Sequence, residues 1–179
     1  MRLSVAADRP GARETGVGIT LNGIRGLMSY EAKLDELGIT LPAAPKPVAT
    51  YIPAVLTGHL LFLSGVVPFQ DGKLVLEGKL GKDLTVEQGY EAARIALLNA
   101  LAIVRSELGS LDRVAKVVRL IGYVASAEGF TQQPAVINGA SDLLVRIFGE
   151  AGRHARAAVG AAGLPLDAPV ELELIVEVS

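Results

Sequence analysis

The closing stretch, residues 152–179, reads GRHARAAVGAAGLPLDAPVELELIVEVS, and its reading decides the fold. From Val170 onward every second residue is apolar (Val170, Leu172, Leu174, Val176, Val178), with Glu171, Glu173, Ile175 and Glu177 between them. A period of two sends successive side chains to opposite faces, so this segment is a half-buried β-strand. Upstream, residues 155–162 are small residues and valine, with Arg156 near the start of the run. The break between the two runs carries Leu164-Pro165 and Pro169, and it is too short for a helical crossover. That predicts antiparallel neighbours. In such a pairing Arg156 and Glu171 lie toward opposite ends of their strands. Joint action would then require a meeting across a subunit boundary or through the shape of a pocket.

Working back through the chain, residues 133–148 form a helix. Pro134 suits its first turn, Val136, Ile137, Ala140, Leu143, Leu144, Ile147 and Phe148 supply a buried face, and Gly149 ends it. The β-branched run 114–124 before it reads as an interior strand. A longer helix precedes that strand. Thr85 and Gln88 form a capping box, and Val86, Tyr90, Ala93, Leu97, Leu101, Val104 and Leu108 build one apolar stripe, with Gly109 as the stop. Glu87, Glu91, Arg94, Arg105 and Glu107 occupy the solvated side.

Residues 60–67 are apolar apart from Ser64-Gly65, as expected of a buried central strand, with a turn at 57–59 and an earlier strand around 51–55. Asp71-Gly72 is a hairpin dipeptide, which predicts a return strand over 73–78. Ser29 opens a short amphipathic helix with Leu34 and Leu37 on its apolar side and Gly38 as terminator. LPAAPKP, residues 41–47, is expected to run extended. Residues 1–27 lack periodicity and read as a flexible extension, and Met28 offers an alternative start. The expected organisation is an extension over 1–27, a helix and proline-rich lead-in over 28–46, and one domain over 47–179. The order strand, strand, helix, strand, helix, strand, strand predicts an α+β layer, with both long helices on one face of a mixed sheet.

Composition narrows the function classes. A chain of 179 residues can bury about 70% of its unfolded surface, enough for its own core. Net charge is −2 and Lys and Arg do not cluster, so the electrostatic footprint of a nucleic-acid binder is missing. Cysteine is absent, which excludes disulfides and thiol nucleophiles. No apolar run is long enough to span a bilayer, and with Arg2 and Arg9 but no continuous apolar segment the N-terminus is not expected to act as a secretory signal. A cytoplasmic protein without membrane or nucleic-acid partners is expected.

HARAAVGAAGLP followed by VELEL resembles the C-terminal signature of the YjgF/RidA family of reactive-intermediate (enamine/imine) deaminases. Tyr51, Gly58 and LFLSGVVP over residues 61–68 resemble its upstream pattern, in which SGVVP replaces SGQ-hydrophobic-P. The resemblance covers about residues 47–178 of a chain longer than typical members, as in a divergent branch. It implies a YjgF-like, chorismate-mutase-like fold, in which three subunits bury the open sheet face around an axis. It implies hydrolysis of a carboxylate-bearing imine or enamine to a 2-keto acid and ammonia, without a cofactor. The alternative is a non-catalytic protein binding a small carboxylate in the inter-subunit cleft. An RNA-cutting role, a label relatives have carried, is disfavoured by the charge.

The resemblance also carries site residues. Arg156 matches the guanidinium that holds the substrate carboxylate, a task suited to its rigid bidentate fork. Its other reading is an edge-strand arginine in a surface ion pair. Glu171 matches the glutamate that orients water or moves protons; its ordinary alternative is a solvent-facing carboxylate, since Glu171, Glu173 and Glu177 share one strand face. Gly65 and Ala158 match positions whose backbone faces substrate, Ala158 standing where many relatives have cysteine. Tyr51 and Asn138 match site-lining positions, with a core aromatic and a polar first-turn helix residue as their ordinary alternatives. Arg153 reads as solvated, His59 as a turn residue, Ser64 as a hydrogen-bonding residue, and His154 as a neighbour of the pocket. The two histidines have no acidic partner at ligand spacing, so no metal site is expected.

Overall fold

The structure is a computed structural model that describes residues 29–44 and 50–179. The expected extension over 1–27, and residues 45–47 of the proline-rich stretch, lie outside the described residues. The elements are α1 Tyr30–Glu36, β1 Ala54–Thr57, β2 Leu60–Leu63, β3 Phe69–Gln70, β4 Lys73–Leu74, α2 Val86–Leu108, β5 Val114–Ala125, α3 Gln133–Phe148, β6 Ala155–Ala161 and β7 Val170–Val178. Short 3₁₀ turns precede β5, β6 and β7.

The helices follow their sequence signals. In α2 the Thr85 hydroxyl accepts from Gln88 N–H while the Gln88 side chain accepts from Thr85 N–H, and Gly109 closes the helix at φ 82°. Helix α3 spans the expected residues and buries every apolar residue assigned to its inner face. Asp71 and Gly72 both have positive φ, as a two-residue hairpin between β3 and β4 requires. The return strand stops at Leu74 rather than continuing to residue 78.

Five strands form a sheet in the order β1-β2-β7-β5-β6. The pairing expected of the last two strands is wrong. Strand β6 runs parallel to β5, β7 runs antiparallel to β5 and β2, and β5 separates β6 from β7. A break of eight residues can reach across one intervening strand, since neighbouring strands lie only about 4.8 Å apart. The end of β5 is stitched to both sides of the break: Ala125 N–H donates to Pro169 O at 2.9 Å and Ser126 N–H to Ala161 O at 3.0 Å. The proline-containing loop is therefore a bridge over β5, not a hairpin.

Nor is the run 60–67 one buried strand. Strand β2 ends at Leu63, Phe62 is exposed, and the chain rejoins the sheet only through the Val66–Leu172 bridge. Its apolar residues serve two surfaces, Leu61 and Leu63 the core and Phe62 the opposite face of the sheet.

Both long helices cover one face of this mixed sheet. Val170, Leu172, Leu174, Val176 and Val178 of β7 point into that layer, with Val117, Leu120 and Val124 of β5 beside them. The opposite face carries Val55, Phe62, Ile175, Ile121 and Val159 among Arg119, Tyr123, Glu171 and Glu173.

Among the described residues, one polar residue is buried in this core. Asn99 of α2 is 3% exposed, and its amide donates to Phe69 O at 2.8 Å and Val67 O at 3.4 Å. It ties the segment after β2 to the helix layer. Asn99→Ala should destabilise the fold by about 1–3 kcal/mol, because Phe69 O loses its amide donor beside the core, while Val67 O retains the Phe69 N–H. Urea unfolding monitored by circular dichroism measures this.

Candidate functional site

The residues singled out from sequence fall into two groups on opposite faces of the sheet. The first sits where α3 overlies the edge strand β6. Asn138 and Ser141 are three residues apart on α3 and so face the same way. Arg156 pairs with the buried Leu120 of β5, which directs its side chain toward the helix layer. Its Nη1 donates to Asn138 Oδ1 at 2.7 Å and to Ser141 Oγ at 3.0 Å. Two of the five guanidinium N–H groups are thus committed, both on one nitrogen. The edge formed by Nε and Nη2, which suits a carboxylate bidentately, has no partner among the described residues. The ion-pair reading gains no support, as no carboxylate pairs with Arg156 among the described residues. Ala158 lies two residues further along β6, on the same face and packed against the core.

His154 and Ser141 complete this cluster. His154 Nε2 lies 3.1 Å from Ser141 Oγ, and Nδ1 lies 2.6 Å from Gly152 O. Ser141 was missed from sequence, since a serine inside a helix carries no signal until its neighbour across the layer is known. Arg153, by contrast, is exposed and pairs with Glu150 in the turn before β6.

The second group lies on the opposite face, around β2 and β7. Glu171 sits over Gly65, so closely that a methyl group on Gly65 would overlap its carboxylate. Only glycine lets this main chain approach the acid. Ser64 N–H donates to Pro53 O and Val66 N–H to Leu172 O, while Gly65 N–H between them has no backbone acceptor among the described residues. Ser64 Oγ donates to Ile52 O at 2.7 Å, so the serine fastens this turn to the β1 lead-in, as its sequence context suggested. Tyr51 stands in that lead-in at 49% exposure, which removes the core-aromatic reading. His59 lies in the β1–β2 turn.

Burial raises the Glu171 carboxyl above its ordinary value, and the Glu173 charge adds to this. Glu173 in turn accepts from the Tyr123 hydroxyl at 3.2 Å. Because the folded state favours protonated Glu171, its contribution to stability is full below the ordinary carboxylate range. That contribution is lost as pH rises through the raised value. Glu171→Gln should therefore melt at the same or a slightly higher temperature than wild type at neutral pH, with the difference vanishing near pH 4. Thermal unfolding across that range checks the sign.

Arg156 and Glu171 do not meet within one chain. Arg156 is level with Leu120 and Glu171 with Tyr123, three residues along β5 and on flanking strands. Strand geometry separates their Cα atoms by roughly 14 Å, and their side chains leave on opposite faces. Among the described residues no cluster of three or more His, Asp or Glu could hold a metal ion, and no helix is long and apolar enough to cross a membrane.

Comparison with known proteins accords with this architecture. The chain is 46% identical over 149 residues to Protein TCP17 of Trypanosoma cruzi, covering 83% of this chain and 93% of that protein. It is 30% identical over 138 residues to a 2-iminobutanoate/2-iminopropanoate deaminase of Dermatophagoides farinae, covering 77% and 93% respectively. A crystal structure of a protein of unknown function from Agrobacterium tumefaciens superposes with a TM-score of 0.79 at 43% identity, covering 88% of this chain and 96% of that one. The family model described as "YjgF/chorismate_mutase-like, putative endoribonuclease" matches residues 31–178. With a mixed sheet, two helices on one face and this match over most of its length, the chain belongs to the YjgF family.

Proposed function

We propose that the protein hydrolyses reactive imines and enamines that bear a carboxylate, releasing a 2-keto acid and ammonia. The observation that carries this reading is the Arg156 guanidinium, held through one nitrogen by Asn138 and Ser141 with its bidentate edge left over. A planar carboxylate fits that edge. The similarity to a 2-iminobutanoate/2-iminopropanoate deaminase supplies the substrate class.

In the proposed reaction water adds to the imine carbon, giving a tetrahedral carbinolamine, and the C–N bond then breaks. Glu171 takes one proton from the attacking water and passes it to the imine nitrogen, a task suited by its raised proton affinity. As the C–N bond breaks, Glu171 takes the carbinolamine hydroxyl proton and delivers it to the departing amine, so the carbonyl forms and both water protons leave in ammonia. The backbone of Gly65 and Ala158 orients the reacting atoms, and Tyr51 lines the cleft. The imine carbon is already electrophilic, so orientation and charge stabilisation suffice and the chemistry calls for no cofactor.

This arrangement requires a second copy of the chain, because Arg156 and Glu171 lie on opposite faces of one subunit. A trimer supplies it when the β6 edge of one protomer meets the Glu171 face of the next. The apolar residues on that face, Val55, Phe62, Ile175 and Val159, suit such a contact. The same separation favours one rival, a carboxylate-binding protein in which Arg156 works without Glu171. Generating 2-aminoacrylate or 2-iminobutyrate in situ and following keto-acid release distinguishes them. Acceleration by the protein supports hydrolysis, and binding of a 2-keto acid with no acceleration supports the rival. Light scattering reads the assembly state.

A further inference from the structure

The Asn138, Ser141, Arg156 and His154 cluster contains a hydrogen-bond order that neither the family match nor the relatives' names assign. Gly152 O can only accept, so the 2.6 Å contact places a proton on His154 Nδ1. In the neutral ring Nε2 is then an acceptor, and its 3.1 Å partner, the Ser141 hydroxyl, donates to it. With its one proton committed, Ser141 Oγ turns a lone pair toward Arg156 Nη1 at 3.0 Å. Asn138 Oδ1 accepts from the same nitrogen at 2.7 Å. Every bond in the chain has one direction. We infer that Ser141 and His154 are positioning residues, which lock the guanidinium so that its Nε–Nη2 edge is presented to the substrate carboxylate.

This inference rests on the carboxylate-binding reading of Arg156, and the test separates the two. The His154 tautomer is read first, from ring ¹⁵N chemical shifts in the full chain. Protonation at Nδ1 is expected, and a ring protonated only at Nε2 overturns the proposal. Binding of 2-ketobutyrate is then measured by calorimetry. Ser141→Ala should weaken Kd roughly 5- to 20-fold, as expected for losing an acceptor to a charged donor. Ser141→Thr, which keeps the hydroxyl, should stay near wild type, and His154→Phe should weaken binding in the same direction as Ser141→Ala. In the keto-acid release assay the loss should fall on KM more than on kcat. Thermal midpoints within a degree or two of wild type show that each variant is folded. If Arg156→Ala abolishes binding but Ser141→Ala leaves it within two-fold, the positioning role is wrong and the carboxylate site stands. If Arg156→Ala itself leaves binding intact, both are wrong.

Discussion

Arg156→Ala is expected to lower kcat/KM for a carboxylate-bearing imine by about 10²- to 10³-fold. The estimate follows from losing two charge-assisted hydrogen bonds to one carboxylate, about 3–4 kcal/mol at roughly 1.4 kcal/mol per ten-fold change. Arg156→Lys should recover little, because an ammonium cannot span both oxygens while also satisfying Asn138 and Ser141. An imine of similar size without a carboxylate should be processed poorly and equally by wild type and variant. Stability should change little, since Arg156 is exposed and its pairing is local. A fall of less than ten-fold, in a variant with a wild-type melting temperature, would remove the central support for the proposed reaction.

The second large effect lies in the helix layer. Gly139 of α3 sits where that helix crosses α2, and a methyl group there would run into the main-chain carbonyl of Tyr90. Backbone cannot swing aside as a side-chain tip can, so Gly139→Val forces the helices apart. We expect a loss of about 3 kcal/mol or more and a melting point lower by roughly 10 °C. Because Asn138 is adjacent, the same shift should pull its Oδ1 from Arg156 and weaken carboxylate binding. Gly163 is the control: it has open space around it, and Gly163→Ala should leave stability within about 0.5 kcal/mol. Differential scanning calorimetry of the two variants tests the contrast.

Reading the helices needed only local chemistry. The capping box at Thr85 and Gln88, the left-handed stop at Gly109 and the apolar stripe of α3 are written in neighbouring residues, so they were legible without a fold. The alternation in β7 was equally plain, because a half-buried strand must place its apolar residues two apart. Arg156, Asn138, Gly65 and Glu171 were legible as candidates through the motifs that contain them, and the structure joins them in pairs, Arg156 with Asn138 and Gly65 with Glu171.

Pairing was another matter. Whether β6 lies beside β7 depends on where β5 inserts, and no pattern within residues 152–179 encodes the hydrogen bonds of a strand some thirty residues upstream. The roles of Ser141 and Asn99 were hidden for the same reason, as each acts on a residue distant in sequence. Most of all, the sequence placed Arg156 and Glu171 in one motif, while the tertiary structure put them on opposite faces of the sheet. Side-chain direction alternates along a strand, and only the register of three strands decides which face each residue receives.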